Sequence, residues 1–177
     1  MTFIRVKKRK KGDGAECEFA YLVENSWNSE RRQAKQKVKQ YLGKVTRNEK
    51  TSVEFFEHVK TTNKEEYLQR PFSTIIKDLI DWELAQHNLK GLAVDFVASE
   101  IRDQSGTDTK VIAMNEGFLC NYTLRRLQEL SQPKPDDDYG ERVPGLELAK
   151  ALVAAGIQVP KEVFVALYEH GPRTKNE

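Results

Sequence analysis

The sequence predicts an α+β fold, in which an N-terminal three-stranded antiparallel sheet is followed by a mostly helical region with a second β-hairpin. Two patterns support this order. In the first 50 residues, apolar and polar residues alternate with a period of two, as expected for strands that bury one face. After residue 50, apolar residues recur at helical spacing, most clearly over residues 73–88. We expect an N-terminal module at 1–50, an α/β body at 51–131 and a C-terminal helical hairpin at 144–170.

Three strands are predicted in the N-terminal module, over residues 3–9, 16–24 and 33–42. Asp13-Gly14 offers the positive φ angles that a tight hairpin turn needs between the first two, and Gly43 is expected to end the third. In strands one and three, the period of two separates an apolar face from a polar one. The polar face is expected to carry Arg5, Lys7, Arg9, Lys35, Lys37, Lys39 and Tyr41.

Helix starts are predicted from capping patterns. Thr51 with Glu54 and Asn63 with Glu66 have the spacing of capping boxes, in which two side chains satisfy the first free N–H groups of a helix. Ser73 can cap the strongest helix of the chain, which we expect to run to residue 88.

The second hairpin is predicted from two β-like segments, 92–101 and 109–114, with Gly106 at the turn between them. A helix is then expected over residues 116–130. Gly117 would be costly in the first turn of that helix unless close packing requires a residue without a side chain.

A polar linker with an acidic stretch, residues 132–145, separates this helix from two short helices around Gly156. Two helices joined by a short turn resemble a DNA-reading motif. However, Lys161 is the only cation among residues 160–169, whereas a recognition helix needs a basic or polar exposed side. We therefore expect the C-terminal region to pack internally or to bind a protein partner.

Charge is distributed unevenly along the chain. Residues 1–50 carry 14 Lys and Arg against 6 Asp and Glu, although the net charge of the whole chain is only +2. Clustered cations release counterions from a phosphate backbone whatever its sequence. We therefore expect the basic face to bind nucleic acid, with Arg31 and Arg32 extending the patch. The alternative is a solvated face whose lysines protect the sheet edge from aggregation.

Four blocks of the N-terminal segment also resemble a known family. They are IRVKK at 4–8, AYLVEN at 20–25, Trp27, and RQAKQKVKQYLGKV at 32–45. Their order and spacing are similar to those in the N-terminal segment of prokaryotic transposases of the IS4/IS1634-like group, and the resemblance covers about 45 of 177 residues. It implies a DNA-binding module, and it is the only reason to favour DNA over RNA. It does not imply transposition, because the remaining residues are few for the family's RNase H-like catalytic domain.

Three other functions stay open. An RNA- or ribosome-associated role would use Tyr41 to stack an unpaired base. A small Mg²⁺-dependent nuclease would use Asp95, Asp108 and Lys110, with Glu83 completing the site, although a turn aspartate explains Asp108 equally simply. A protein-interaction adaptor would bind no nucleic acid.

Other features argue against catalysis and membrane insertion. Cys17 and Cys120 fit no metal-ligand spacing, and the chain contains no Gly-rich phosphate loop or dinucleotide motif. The N-terminus lacks the apolar stretch of a signal peptide, and no window approaches the ~20 apolar residues of a membrane span. We expect a cytoplasmic, non-catalytic protein without a cofactor.

Overall fold

The predicted fold class is confirmed by a computed structural model. An antiparallel three-stranded arrangement opens the chain, six helices are present among the described residues, and a separate small sheet forms a second hairpin. The structure describes residues 2–10, 12, 14–29, 32–89, 91–103, 110–131 and 144–169.

The elements follow one another along the chain. The strands are β1 Thr2–Lys10, β2 Glu16–Asn28, β3 Gln33–Arg47, β4 Leu92–Asp95, β5 Glu100–Asp103, β6 Lys110–Met114 and β7 Gly117–Leu119. The helices are α1 Phe55–His58, α2 Lys64–Leu68, α3 Phe72–Gln86, α4 Asn121–Ser131, α5 Pro144–Ala155 and α6 Lys161–Glu169.

Five of the strands form one mixed sheet in the order β1-β2-β3-β6-β7. β1, β2 and β3 pair antiparallel, as predicted, while β3 pairs with β6 in parallel through residues 44–47 and 110–113. A parallel pair needs a long crossover, which here contains α1, α2, α3 and the β4–β5 hairpin. The N-terminal strands and the α/β body therefore share backbone hydrogen bonds.

Two apolar clusters flank this sheet. The smaller consists of Ala20, Leu22, Leu42, Val45, Val111, Ala113 and Cys120. Ile4, Val6 and Phe118 pack against it, so it lies on one face of β1–β3, which we call the inner face. The larger cluster joins all six helices to Ile112 and Met114 of β6. β6 is thus buried on both faces, and its successive residues belong alternately to the smaller and the larger cluster.

Gly43 does not end the third strand, contrary to the prediction, because β3 continues to Arg47. Gly43 lies at a bulge and has a φ of +134°, which side-chain-bearing residues rarely adopt. The glycine is therefore required by a distortion inside the strand rather than by a terminus. Gly14, in the β1–β2 turn, has a φ of +82°, while Asp13 lies outside the described residues.

The second hairpin is present, but its predicted residues are wrong. Residues 92–103 form both of its strands, β4 and β5, and the 110–114 segment pairs with β3 instead. The turn comes earlier because the carboxylate of Asp95 accepts the Ala98 N–H at 2.8 Å and Ser99 adopts a φ of +55°. The predicted turn residue, Gly106, lies outside the described residues.

The helix predicted from residue 116 begins later, because residues 117–119 form β7 and α4 starts at Asn121. The preceding turn contains Asn115 with a φ of +48°. A Cβ atom added to Gly117 would lie 2.2 Å from the backbone nitrogen of Gly156, at the end of α5. Close packing of the backbone at Gly156 therefore explains why position 117 is a glycine, which helix propensity does not explain.

One of the three predicted helix caps is confirmed. The Asn63 side chain accepts an N–H from the first turn of α2 at 3.2 Å. Thr51 does not cap α1, because its hydroxyl donates to the Gln86 carbonyl at 2.8 Å, and the carboxylate of Glu54 caps α1 instead. Ser73 lies within α3, which follows Pro71 without a side-chain cap.

Candidate nucleic-acid interface

Directly opposed residues of an antiparallel pair project to the same face of a sheet. Arg5 is opposite Tyr21, and Tyr21 is opposite Tyr41. Lys7 is opposite Phe19, and Phe19 is opposite Lys44. These side chains lie on the face away from the smaller apolar cluster, which we call the outer face of β1–β3. It carries Arg5, Lys7, Arg9, Phe19, Tyr21, Tyr41 and Lys44.

An aromatic group lies at the centre of the outer face. The ring of Tyr41 is 5.5 Å from that of Tyr21 and 6.4 Å from that of Phe19, and both pairs are tilted. The Tyr41 side chain remains 51% exposed, while Phe19 and Tyr21 are half-buried. Of these three aromatic residues, only Tyr41 is predicted from the sequence to lie on this face. The signal for the other two was present in β2, where Phe19 and Tyr21 alternate with the core residues Ala20 and Leu22.

Cations surround these rings. The Lys7 ammonium lies 5.4 Å from the centre of the Tyr21 ring, and the Arg9 guanidinium lies 5.9 Å from that of Phe19, both within cation–π distance. The guanidinium of Arg5 donates to the amide oxygen of Gln36. Each of these cations is therefore held by a neutral partner.

The inner face of the same strands has the opposite chemistry. The Glu18 carboxylate accepts a hydrogen bond from the Arg47 guanidinium at 2.7 Å and lies 3.9 Å from the Lys8 ammonium. Glu24 accepts Lys39 at 2.8 Å, and this hydrogen bond together with the lysine charge lowers the pKa of Glu24. In the part of the chain that the structure describes, no ion pair involves Arg5, Lys7, Arg9 or Lys44.

The prediction that Tyr41 shares a face with Lys35, Lys37 and Lys39 is wrong. Lys37 is opposite Glu24 and Lys35 is opposite Ser26, which are residues of the inner face. One bulge causes the change, since Lys39, between Tyr41 and Lys37, adds a residue to β3 without a partner in β2. A shift of one residue moves every following side chain to the other face. Arg5, Lys7, Arg9 and Tyr41 are thus brought together, and the three lysines of β3 are not.

The ends of β2 and β3 form a two-stranded ribbon beyond β1. Thr2, the first residue of β1, is opposite Glu24, so the pairs from residue 25 to 28 have no third strand on that side. Trp27 lies on the outer face of this ribbon, opposite Ala34, and is 68% exposed. Arg32, in the connecting turn, has a φ of +46°, whereas Arg31 lies outside the described residues.

Two of the residues proposed for a nuclease, Glu83 and Asp95, make structural contacts in the described part of the chain. Glu83 is fully buried and accepts the Gln158 N–H at 2.9 Å and the Lys50 ammonium at 3.3 Å. Asp95 caps the hairpin turn, and Asp108 lies outside the described residues. No group of three or more His, Cys, Asp or Glu side chains in the described ranges could hold a metal ion.

The C-terminal helices expose several large apolar side chains. Tyr168 and Phe164 of α6 are 59% and 40% exposed, and their rings stack at 6.5 Å. Val153 of α5 is 64% exposed. Within the described ranges, no helix has both the length and the apolarity required to cross a bilayer.

Comparisons with known proteins do not assign the chain to a class. No protein-family model, curated protein or solved structure matched it. The resemblance of the N-terminal segment to transposases therefore stays a prediction, and the function must be argued from the outer face itself.

Proposed function

We propose that this chain is a non-catalytic nucleic-acid-binding protein that contacts the phosphate backbone with the outer face of β1–β3. The observation that supports this most is that the carboxylates of β1–β3 lie on the inner face, away from the cations of the outer face. Arg5, Lys7, Arg9 and Lys44 lie together on the outer face without a carboxylate partner among the described residues.

The position of the acidic residues argues against a merely solvated surface. The carboxylates of β1–β3 belong to Glu16, Glu18 and Glu24, which occupy even positions of β2 and so project to the inner face. A sheet that needed cations only for solubility or edge protection would gain from ion pairs on either face. A surface that binds phosphates does not, because a neighbouring carboxylate would repel the ligand.

We propose DNA as the ligand on the N-terminal resemblance alone, together with a cytoplasmic location in a prokaryotic cell. Lys35, Lys37, Lys39, Arg31 and Arg32 remain predicted contacts; the three lysines lie outside the proposed outer-face surface, and Arg31 lies outside the described residues. The exposed apolar side chains of α5 and α6 are consistent with an additional protein partner.

The test is a comparison of two charge-neutralising double variants. Lys7→Gln/Arg9→Gln removes two cations of the outer face, and Lys8→Gln/Arg47→Gln removes two cations that Glu18 already neutralises. The probe is a fluorescent DNA hairpin with a single-stranded tail, which offers both duplex and unpaired strand. Binding is measured by anisotropy over a range of salt concentrations.

Four phosphate contacts predict a slope of log K against log salt of roughly −2.8 to −3.6. The outer-face variant should weaken binding and make the slope shallower by about 1.4 to 1.8, while the Glu18-paired variant should change both much less. Equal effects of the two variants would contradict the proposal. Absence of binding even at low salt would favour the adaptor function instead. Lys35→Gln/Lys37→Gln tests the predicted lysine contacts of β3 separately.

A further inference from the structure

We infer that the outer face binds an unpaired nucleic-acid strand, whose bases stack on Phe19, Tyr21 and Tyr41 while the surrounding cations hold its phosphates. This inference rests on the proposed function and specifies its ligand. Unpaired DNA and unpaired RNA both offer free base faces and phosphates, so either could be the ligand. The experiment must distinguish binding of a single strand from binding of a duplex.

The aromatic group carries the inference, because phosphate binding alone does not require it. Three rings lie in contact on the face that faces solvent, and half of the Tyr41 side chain is exposed. The faces of bases in a duplex are already stacked on one another, so aromatic side chains cannot reach them without unstacking the helix. Unpaired bases have free faces, and proteins that bind single strands combine such rings with a basic groove.

Trp27 lies on the outer face further along β2, beyond Val23, which is buried. Phe19, Tyr21 and Trp27 occupy odd positions of one strand whose pairing with β1 is regular up to Glu24, so all three project to the outer face. From Phe19 to Trp27 the strand rises about 26 Å at about 3.3 Å per residue. A stacked strand with about 3.4 Å per base could place about eight nucleotides along this path.

The cations are positioned to act together with the rings. Lys7 and Arg9 lie beside the faces of Tyr21 and Phe19. A base that stacks on either ring brings its phosphate within reach of the same cation, because both side chains are long and exposed. The Lys44 side chain, opposite Phe19, borders the other side of the group.

The experiment compares three labelled probes of about twelve units, longer than the path along β2: oligo-dT, oligo-rU and a mixed-sequence DNA duplex. We expect both single strands to bind more tightly than the duplex under the same salt conditions. The ratio between oligo-dT and oligo-rU then identifies which backbone is preferred.

Substitution of the rings separates stacking from charge. Tyr41→Leu should weaken single-strand binding by between about 5-fold and 150-fold, whereas Tyr41→Phe should retain it because the ring is kept. Tyr168→Leu is the matched control, since Tyr168 is similarly exposed but lies on α6. Thermal unfolding of each variant establishes that the folded state is retained at the assay temperature.

Tryptophan fluorescence gives a readout that is independent of affinity. The chain has two tryptophans, of which Trp27 is 68% exposed and Trp82 is 8% exposed. We expect bound oligo-dT to quench the emission of Trp27 and to protect it from a soluble quencher. Trp27→Phe should abolish this response.

The outcomes distinguish the two levels of the proposal. The inference would be overturned if the duplex bound as tightly as the single strands and Tyr41→Leu bound like the wild type. The proposed function would still be supported in that case if Lys7→Gln/Arg9→Gln weakened binding. Loss of stability without loss of affinity in Tyr41→Leu would assign the rings to sheet packing and would also overturn the inference. Failure of all three probes to bind at low salt would remove the proposed function itself.

Discussion

Replacement of Lys50 by methionine should destabilise the protein strongly, although Lys50 lies at the surface, in the segment that follows β3. Its ammonium donates to the buried carboxylate of Glu83 at 3.3 Å, to the Asn115 side chain at 2.9 Å and to the Gln158 side chain at 2.8 Å. Lys50 thus connects α3, the β6–β7 turn and the α5–α6 connection. Glu83 is 0% exposed and the Lys50 side chain is 28% exposed.

The expected magnitude follows from the charge that would remain. Breaking a buried pair by removing one partner typically costs 3–5 kcal/mol, because the other charge stays buried without compensation. Glu83 also keeps the Gln158 N–H at 2.9 Å. We therefore expect a loss of about 3 kcal/mol and a fall in Tm of about 6–12 °C.

Urea unfolding at pH 7, followed by circular dichroism, measures this change. Lys150→Met is the matched control, because Lys150 also pairs with a glutamate, Glu147, at 2.9 Å but on an exposed helix surface. Its effect should be close to zero. The double variant Lys50→Met/Glu83→Gln should be more stable than Lys50→Met alone, since the amide carries no charge. A loss below about 1 kcal/mol for Lys50→Met, or no recovery in the double variant, would refute the reasoning.

Two further substitutions test the packing. Gly156→Ala should destabilise by about 2–5 kcal/mol in urea unfolding, because Gly156 has a φ of +76° and the new Cβ would lie 2.2 Å from the Met114 carbonyl oxygen. Gly14→Ala, with a φ of +82° but open space, should cost only about 1–2 kcal/mol, and equal losses would contradict the steric argument. Burial raises the pKa of the Cys120 thiol, which means that the folded state favours the neutral thiol over the thiolate. The stability that this preference contributes is complete below the unfolded pKa of about 8.5 and is lost as the pH rises through the folded pKa. Between pH 7.5 and 9.5 the wild type should therefore lose more stability than Cys120→Ala, and parallel pH profiles would exclude this contribution.

The parts of the fold that could be predicted are those determined by neighbouring residues. The alternation in β1 correctly placed Arg5, Lys7 and Arg9 on one face and Ile4 and Val6 on the other. Asn63 was identified as a cap because its partner lies only three residues away. In both cases the local sequence contains all the information that the structure uses.

The failures have long-range causes. The bulge at Lys39 belongs to the pairing with β2 and leaves no mark on the alternation of β3, so the face of Lys35 and Lys37 could not be predicted from that alternation. The 110–114 segment was assigned to a local hairpin because its true partner, β3, is distant in sequence. The reason for the glycine at position 117 could not be predicted, because it depends on contact with Gly156, which is distant in sequence.

The same applies to the candidate interface. The sequence indicated its cations in β1, but the aromatic group depends on the alignment of two strands, β2 and β3. Phe19 and Tyr21 become neighbours of Tyr41 only through the displaced register of β3. The site is therefore a property of the pairing more than of any single strand.

The parallel pairing of β3 with β6 has a consequence for how the chain folds during synthesis. Val45 and Val111 are adjacent in the sheet but 66 positions apart in sequence. The β1–β2–β3 meander contains mainly local contacts and can form early, whereas contacts over such a separation form slowly because a long loop must close first. Until Val111, Ala113 and Cys120 have left the ribosome, the inner-face residues Ala20, Leu22 and Leu42 lack their covering. We expect the nascent N-terminal segment to depend on chaperones or on rapid elongation, and ribosome-bound chains stalled before residue 111 to be sensitive to protease.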